Sequence, residues 1–439
     1  MSGDRAHKTR TLWLAGALHA FTHVYQVALM PLYLLIQRDF KLTSVSQATL
    51  LVTVMMAGYF LPAYPLGVAA DRFSRKKLLG WGLAINAAGF LLLAFAPNYS
   101  TALLAVLLTG LGGSAFHPAA TAMIARLYPA GTGKALGLLG IGASVGFFFG
   151  PIYAGWRAGT LEATVGAAAW RQPVLELGLL GLVMAGVFAW LAQEHAPVSP
   201  APGRANLLVG QDARQRVPTK ARMFPTPALW GFFVLAALAF SLRDFTGSSM
   251  GSLGSLFLQK AHGYDPRFTG LALSGIFLAS AISNPLFGHL SDSGRGRWTL
   301  LVLVLAAMLV ALFPHLPASA TIPTYLVYGF FFMASYPMVE AALMEAVPDE
   351  VRGRVFGLFI TVGGLIGNSS HWAVGAWVKG LGERANSPPG YFSSYGVLAG
   401  LLIISLLGLP CLKAIRKREH VETPAPDDDR AEHQPQLPT

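Results

Sequence analysis

The chain has 439 residues, 54% of them hydrophobic and only 12% charged, whereas an ordinary soluble domain carries about 25% charged residues. That balance excludes a soluble globular protein and a soluble domain on a single anchor. A formal net charge of +11 suggests nucleic acid at first sight, but the basic residues gather in alternate loops and so report membrane topology. The single cysteine, Cys411, excludes an internal disulfide framework.

A helix needs about 20 mostly apolar residues to cross a bilayer. Twelve such runs follow one another, at 12–36, 47–69, 78–96, 101–124, 135–156, 173–191, 228–258, 268–290, 298–313, 322–343, 355–378 and 391–412. The first run is as long as a full span and lacks a small-residue cleavage site, so no cleavable leader is expected. The seventh is expected to start late or to break, because residues 247–254 are rich in Gly and Ser. A 33-residue connection, 192–224, separates spans six and seven. It holds Pro197, Pro200, Pro202 and Pro218 with five basic residues, and reads as a linker. The end of the chain, from Val421, is rich in Pro, Asp and Gln and is expected to be disordered. The expected organisation is a first six-helix half (1–193), a cytoplasmic linker (194–226), a second six-helix half (227–413) and a disordered cytoplasmic tail (414–439).

Twelve spans put both termini on one side. Of the 32 Lys and Arg residues, 23 fall on that side, eight on the other, and Arg243 alone lies within a span. The positive-inside rule then places both termini in the cytoplasm of a bacterial-type inner membrane.

Two halves are also visible as an internal repeat. Gly67-Val68-Ala69-Ala70-Asp71-Arg72-Phe73-Ser74-Arg75-Lys76-Lys77 returns in weaker form from Gly288 to Arg297, with Asp292 and Arg295 in place. Ala115-Phe116-His117-Pro118 returns as Ala334-Ser335-Tyr336-Pro337, and Gly133-Lys134-Ala135-Leu136-Gly137-Leu138 as Gly353-Arg354-Val355-Phe356-Gly357-Leu358. Similar membrane halves suit a transporter that rocks one half against the other.

The run from Gly67 to Lys77 resembles the signature loop of the major facilitator superfamily, between helices two and three. The resemblance covers the whole chain except its tail, and implies two pseudo-symmetric six-helix bundles in an all-α membrane protein. It also implies that Gly67, Asp71, Arg72 and Arg75, with Gly288, Asp292 and Arg295 of the second copy, form a latch that holds the state open to the outside. On physical grounds Gly67 permits close helix approach, and Asp71 pairs with basic groups and a helix end across the gap. In span five, Gly137, Gly146, Gly150, Pro151 and Gly155 resemble the antiporter motif of drug and proton-exchanging exporters, with Ala154 replacing one family glycine. Ordinary packing of a glycine-rich helix explains the same residues, and Pro151 favours a kink. The segments around His19–His23, Phe116-His117-Pro118 and Gly140–Pro151 look like the fosmidomycin-resistance branch of exporters. An acidic residue that the branch can carry is here His23, and an Arg of many proton-coupled relatives is here Val106.

Charged groups in mid-membrane cost about 2.5–3.5 kcal/mol on insertion scales, which makes them functional candidates. Arg243 and Asp244 in span seven are adjacent. Successive helical residues point about 100° apart, so one can face the cavity while the other contacts a neighbour. Arg243 suits an anionic group and Asp244 suits a proton, while a structural ion pair is the competing reading. Glu340 in span ten is a second proton candidate or part of a packing network near the surface. Glu176 and Glu345 fall nearer span ends and read as interfacial. His19 and His23, four apart, share one helix face. His117 occupies the place in the first half that Tyr336 has in the second. These groups, with the weaker candidate His371 beside Asn368, line a solute and proton path or simply satisfy packing. A metal site on His19 and His23 needs further ligands, and none is evident, so no metal or other cofactor is expected.

No phosphate-binding loop ends in Lys-Ser or Lys-Thr, and no nucleophile-and-base motif stands out. The expectation is therefore not an enzyme. It is a monomeric secondary transporter in a lipid bilayer, moving a small organic molecule outward in exchange for protons. Uptake of a small anionic metabolite is the alternative. A scaffold or sensor that does not transport would have little reason to keep Arg, Asp, Glu and His inside the membrane.

Overall fold

The computed structural model describes residues 2–129, 132–194, 223–348 and 351–422. Most of the expected linker and the end of the tail lie outside them. The described residues form an all-α membrane protein with twelve helical passes. In the first half these are Ser2–Val27 continued by Tyr33–Asp39, Val45–Phe60 with Ala63–Arg72, Arg75–Ala94, Tyr99–Ser114 with Phe116–Leu127, Thr132–Val165 and Arg171–Leu191. In the second half they are Pro227–Ala261, Pro266–Leu278 with Ser280–Ser291, Arg295–Leu312, Thr321–Glu345, Arg352–Leu381, and Phe392–Ser405 with Gly408–Glu422.

Length and hydropathy alone pick out ten candidate spans. Spans five and six fuse into one stretch, Lys134–Leu191, and span eleven is passed over. Span eleven carries Asn368, Ser369, Ser370 and His371 in mid-helix, which lowers its apolar signal without stopping it from crossing. Large apolar side chains such as Trp81, Val183 and Met308 stay more than half exposed. That suits a lipid-facing surface and would be a liability in water.

The helix starts follow capping chemistry. Asn98 Oδ1 accepts the Thr101 amide at 3.0 Å, and Asp265 Oδ1 accepts the Phe268 amide at 2.9 Å, with Pro266 as the first helical residue. Each occupies amide donors that a helix start leaves without a partner. Gly263, at φ 69°, turns the chain between spans seven and eight, where a side chain would be strained.

The expected break in span seven does not occur: Pro227–Ala261 is one continuous helix. Its small residues admit neighbours instead. A methyl group added to Gly247 would stand 2.4 Å from the Phe332 ring, and one on Gly254 would stand 1.6 Å from the Tyr325 hydroxyl. Span five uses glycine in the same way. Added methyl groups at Gly142 and Gly146 would meet the Gly16 and Ala20 carbonyl oxygens of span one at 2.0 and 2.2 Å. One at Gly155 would meet the Pro266 carbonyl of span eight at 2.1 Å. Span five is thus wedged between span one of its own half and span eight of the other.

The two halves meet closely toward the face opposite the chain ends. The Tyr33 hydroxyl lies 2.9 Å from Ser252 Oγ. Ser255 Oγ donates to the Met30 carbonyl at 2.6 Å, Gln259 Nε2 to the Pro31 carbonyl at 3.2 Å, and Arg267 to the Gly159 carbonyl at 2.7 Å. Deeper in the membrane, Thr53 Oγ1 donates to the Asn368 carbonyl at 3.1 Å and accepts the Trp372 amide at 3.0 Å.

Candidate functional site

Two polar clusters, one in each half, occupy related places in the repeat. His23 and Arg243 are 220 residues apart, and His117 and Tyr336 are 219 apart, matching the offset of the sequence echoes. The first-half cluster is imidazole on spans one and four. The second-half cluster is an ion pair under a phenol on spans seven and ten.

In the second-half cluster, Arg243 and Asp244 pair directly, which their 100° angular separation had not required. Nε and Nη2 of Arg243 donate to Asp244 Oδ1 at 3.0 and 2.8 Å. Nη1 reaches the Ser335 carbonyl at 3.4 Å. The guanidinium carbon sits 4.1 Å from the centre of the Tyr336 ring and 5.6 Å from that of Phe240. The Arg243 side chain is 2% exposed and that of Asp244 18%. Contact with a cavity therefore falls to the carboxylate rather than to the guanidinium. Arg243 is also not opened to a cavity by an unwound Gly/Ser stretch, since the helix is intact. Span eleven makes room for the pair: a methyl group on Gly363 would stand 2.6 Å from Asp244 Oδ2, and one on Gly367 2.8 Å from its Cβ. Glu340 is half-buried and close enough to Arg243 and Asp244 to feel both charges.

In the first-half cluster, His19 Nδ1 lies 2.9 Å from the Leu139 carbonyl. A carbonyl only accepts, so Nδ1 carries the proton and Nε2 presents a lone pair. His23 Nδ1 lies 2.9 Å from Gln26 Oε1, and the two Nε2 atoms lie 3.0 Å apart. His117 stands edge-on to His19, with ring centres 5.1 Å apart. Phe116 stacks on His19, and Phe147 covers His23 while stacking on Phe277 of span eight. His19 and His23 are buried, whereas His117 is exposed.

His371 does not join either cluster. Its Nδ1 lies 2.6 Å from Ser252 Oγ and its Nε2 3.2 Å from Asn368 Oδ1, which places it in the seam with Tyr33. Sequence reasoning passed over Ser252, Tyr33 and Gln26, since nothing local marks a hydroxyl or amide whose partner lies far along the chain.

The candidate latch residues differ in their settings. Gly67 is not a close-approach point here, since a methyl group there would stand 3.8 Å from Pro118, and Gly288 has open space. Arg72 is exposed, Arg75 is buried, and the Asp71 side chain lies outside the described residues. In the second copy Arg295 pairs with Asp292 at 3.5 Å and with Glu345 at 2.5 Å, and Glu345 also meets Arg416 at 3.4 Å. Glu345, near its span end as expected, is thus the hub of a clamp within the second half. In the first half Glu194 does similar work. It accepts the Ser74 hydroxyl at 2.5 Å and the Arg75 and Lys76 amides at 3.0 and 3.2 Å, at the start of span three. Burial would raise its carboxyl, but these hydrogen bonds hold it below the usual carboxylate range. Glu176 is likewise engaged, by Tyr153, Arg157 and Gln172. In the span-five motif, Gly146, Gly150 and Gly155 face close neighbours, while Gly137 faces open space, and Pro151 lies inside an uninterrupted helix.

The family model described as Major Facilitator Superfamily matches residues 12–370. The chain belongs to this superfamily. It is a multi-pass membrane transporter of small molecules, and not an enzyme. Among superfamily relatives, the Fosmidomycin resistance protein of Escherichia coli (strain K12) is 24% identical over 367 residues, covering 82% of this chain and 86% of that protein. Multidrug resistance protein MdtH of Yersinia enterocolitica is 26% identical over 355 residues, covering 78% and 79%. Among solved structures, a D-xylose-proton symporter aligns with a TM-score of 0.71 at 15% identity, covering 90% of this chain and 95% of that one. A bacterial homologue of the lysosomal transporter Spinster, inward-facing and occupied, aligns with a TM-score of 0.69 at 18% identity, covering 94% and 97%. At these identities the structures speak for the fold alone.

Proposed function

We propose that this chain, working as a monomer in a bacterial-type inner membrane with both termini cytoplasmic, exports a small organic solute in exchange for protons. The observation that carries the reading is the buried Arg243–Asp244 pair with Glu340 beside it. An exchanger needs solute and proton to compete for one site. Glu340 is suited to this: as a carboxylate it holds a donor group of the solute, and on taking a proton it lets that group go. Arg243, locked to Asp244, keeps positive charge close by. The two relatives named for drug resistance support the outward direction, since removing a drug from the cell is one way to resist it. Closure of the seam on the face away from the termini supports a solute path that opens toward the cytoplasm in this state. Asp71 is then expected to act at the cytoplasmic latch, so that Asp71→Asn lowers transport at normal abundance.

The alternative, uptake of an anion, follows from the same pair used differently. A solute anion that displaces Asp244 from Arg243 frees a carboxylate that then takes up a proton, and the two travel together. Purified protein in liposomes with an imposed pH gradient separates these readings. Fosmidomycin, from the name of the similar bacterial protein, is the first solute to try. Export predicts that solute accumulates on the acidic side, and that Glu340→Gln, which mimics the protonated carboxyl, binds solute weakly and cannot accumulate it. Accumulation on the alkaline side would favour uptake, and flux indifferent to pH would remove proton coupling altogether.

A further inference from the structure

The three histidines of the first half hold more than a solute path requires. One nitrogen from each of His19, His23 and His117 lies within 4.8 Å of the other two. We infer that they form a binding site for a divalent late first-row transition metal ion such as Zn²⁺ or Co²⁺, with three imidazole ligands and one open position. The reading is independent of which solute is carried and in which direction.

The outer contacts carry the argument. A metal-bound imidazole normally donates its second N–H to a carbonyl or carboxylate, which fixes the tautomer and aims the lone pair. His19 has such a contact to the Leu139 carbonyl, and His23 has one to Gln26 Oε1. With both Nδ1 atoms as donors, the two Nε2 lone pairs face each other across 3.0 Å. Two lone pairs so placed need a positive charge to hold. A shared proton would satisfy two nitrogens, and a metal ion would satisfy three. His117 supplies the third, from span four.

The size is also right. Three nitrogens bound at about 2.0–2.1 Å in a tetrahedron stand roughly 3.4 Å apart, so the widest separation here, up to 4.8 Å, must close by about 1.4 Å. Imidazole nitrogens suit Zn²⁺, Co²⁺, Ni²⁺ and Cu²⁺ and not Mg²⁺ or Ca²⁺. His117 is exposed while the other two are buried, so the ion has an entrance on the His117 side. Water, or a donor atom of the solute, completes the tetrahedron there.

The competing arrangement is a neutral chain. The amide nitrogen of Gln26 is buried without a partner. If the amide turns over, that nitrogen donates to His23 Nδ1, His23 Nε2–H donates to His19, and no ion is needed. The two arrangements make different predictions for tag-free, full-length protein in detergent titrated with Co²⁺. A metal site gives one equivalent bound, with the strong visible bands of tetrahedral Co²⁺ and displacement by Zn²⁺. X-ray absorption of the Zn²⁺ form then shows three nitrogen ligands at about 2.0–2.1 Å and needs no variant. His117→Ala and His117→Gln lose the bands, His289→Ala, at the end of span eight in the other half, keeps them, and Gln26→Leu weakens affinity about 10–100-fold by removing an outer contact. Absence of stoichiometric Co²⁺ binding by the wild-type protein overturns the proposal. So does binding that survives His117→Gln in protein whose metal-free melting temperature is normal.

Discussion

Asp244→Asn removes one charge from a buried pair and keeps the shape of the side chain. Arg243 cannot lose its proton, and its side chain is 2% exposed, so water cannot replace the lost carboxylate. Breaking a buried pair from one side costs about 3–5 kcal/mol. Leaving an uncompensated Arg in the membrane costs about 2.5–3.5 kcal/mol on insertion scales. The Asn oxygen can still accept from Nε or Nη2, and the Ser335 carbonyl and the Tyr336 ring still face the cation. The expected loss is therefore near the lower bound, about 3 kcal/mol, or roughly a hundredfold in the folding equilibrium. The double variant Arg243→Met/Asp244→Asn carries no buried charge and should recover most of that loss. The assay is thermal unfolding of detergent-solubilised protein, read by loss of the monomer peak on size exclusion, for both single variants and the double. If Asp244→Asn melts with the wild type, or the double variant loses as much as the two singles together, the pair is not the buried electrostatic unit described here.

Other consequences are as direct. Gly146→Ala drives a methyl group into the Ala20 carbonyl at 2.2 Å and should cost about 1–3 kcal/mol of stability, whereas Gly137→Ala meets open space and should be neutral or gain up to about 1 kcal/mol; paired melting curves decide. Glu194→Gln weakens the cap on span three, so the amides of residues 75–78 should exchange hydrogen faster. In the wild type the folded-state carboxyl lies below its unfolded value, so its contribution is full above the unfolded range and disappears only as pH falls through the depressed value; protection at 75–78, measured relative to the intrinsic exchange rate at each pH, should hold at neutral pH and fall only in acid. Tyr33→Phe and Ser255→Ala each remove a bond between the halves on the face away from the termini. In a Cys411→Ser background, a cysteine at Gln259 should then be alkylated faster from that face, and unchanged labelling would mean that the seam does not depend on these bonds.

The twelve spans and their pairing into halves were legible because a bilayer imposes a length on every apolar run, and because three motifs repeat at offsets of 219 to 221 residues. His19 and His23 could be placed on one face from their spacing of four. His117 and Tyr336 could be matched across the repeat, but the partners of each could not be named. The Tyr33–Ser252–His371 seam joins spans one, seven and eleven, and no periodicity within one span encodes it. The Gly/Ser run at 247–254 was misread for a related reason. Small residues signal either a break or a close neighbour, and only the positions of Phe332 and Tyr325 reveal which. Glu194 was invisible because it follows the last turn of span six in sequence but caps span three in space. A stronger signal was available in the loop itself: a helix start at Arg75 leaves amides that Ser74 alone cannot satisfy, and so requires an acceptor from elsewhere.

The account rests on solute and proton competing for the cluster around Glu340 and Arg243–Asp244. The most direct measurement is the proton count on solute binding, with purified protein in lightly buffered detergent and a pH indicator. An exchanger takes up solute and gives up a proton, so adding a transported solute should acidify the medium in proportion to the protein present. Glu340→Gln, fixed in the neutral form that lets the solute go, should bind it weakly and with no such signal. Proton uptake on binding, or release that persists in Glu340→Gln, would contradict the account.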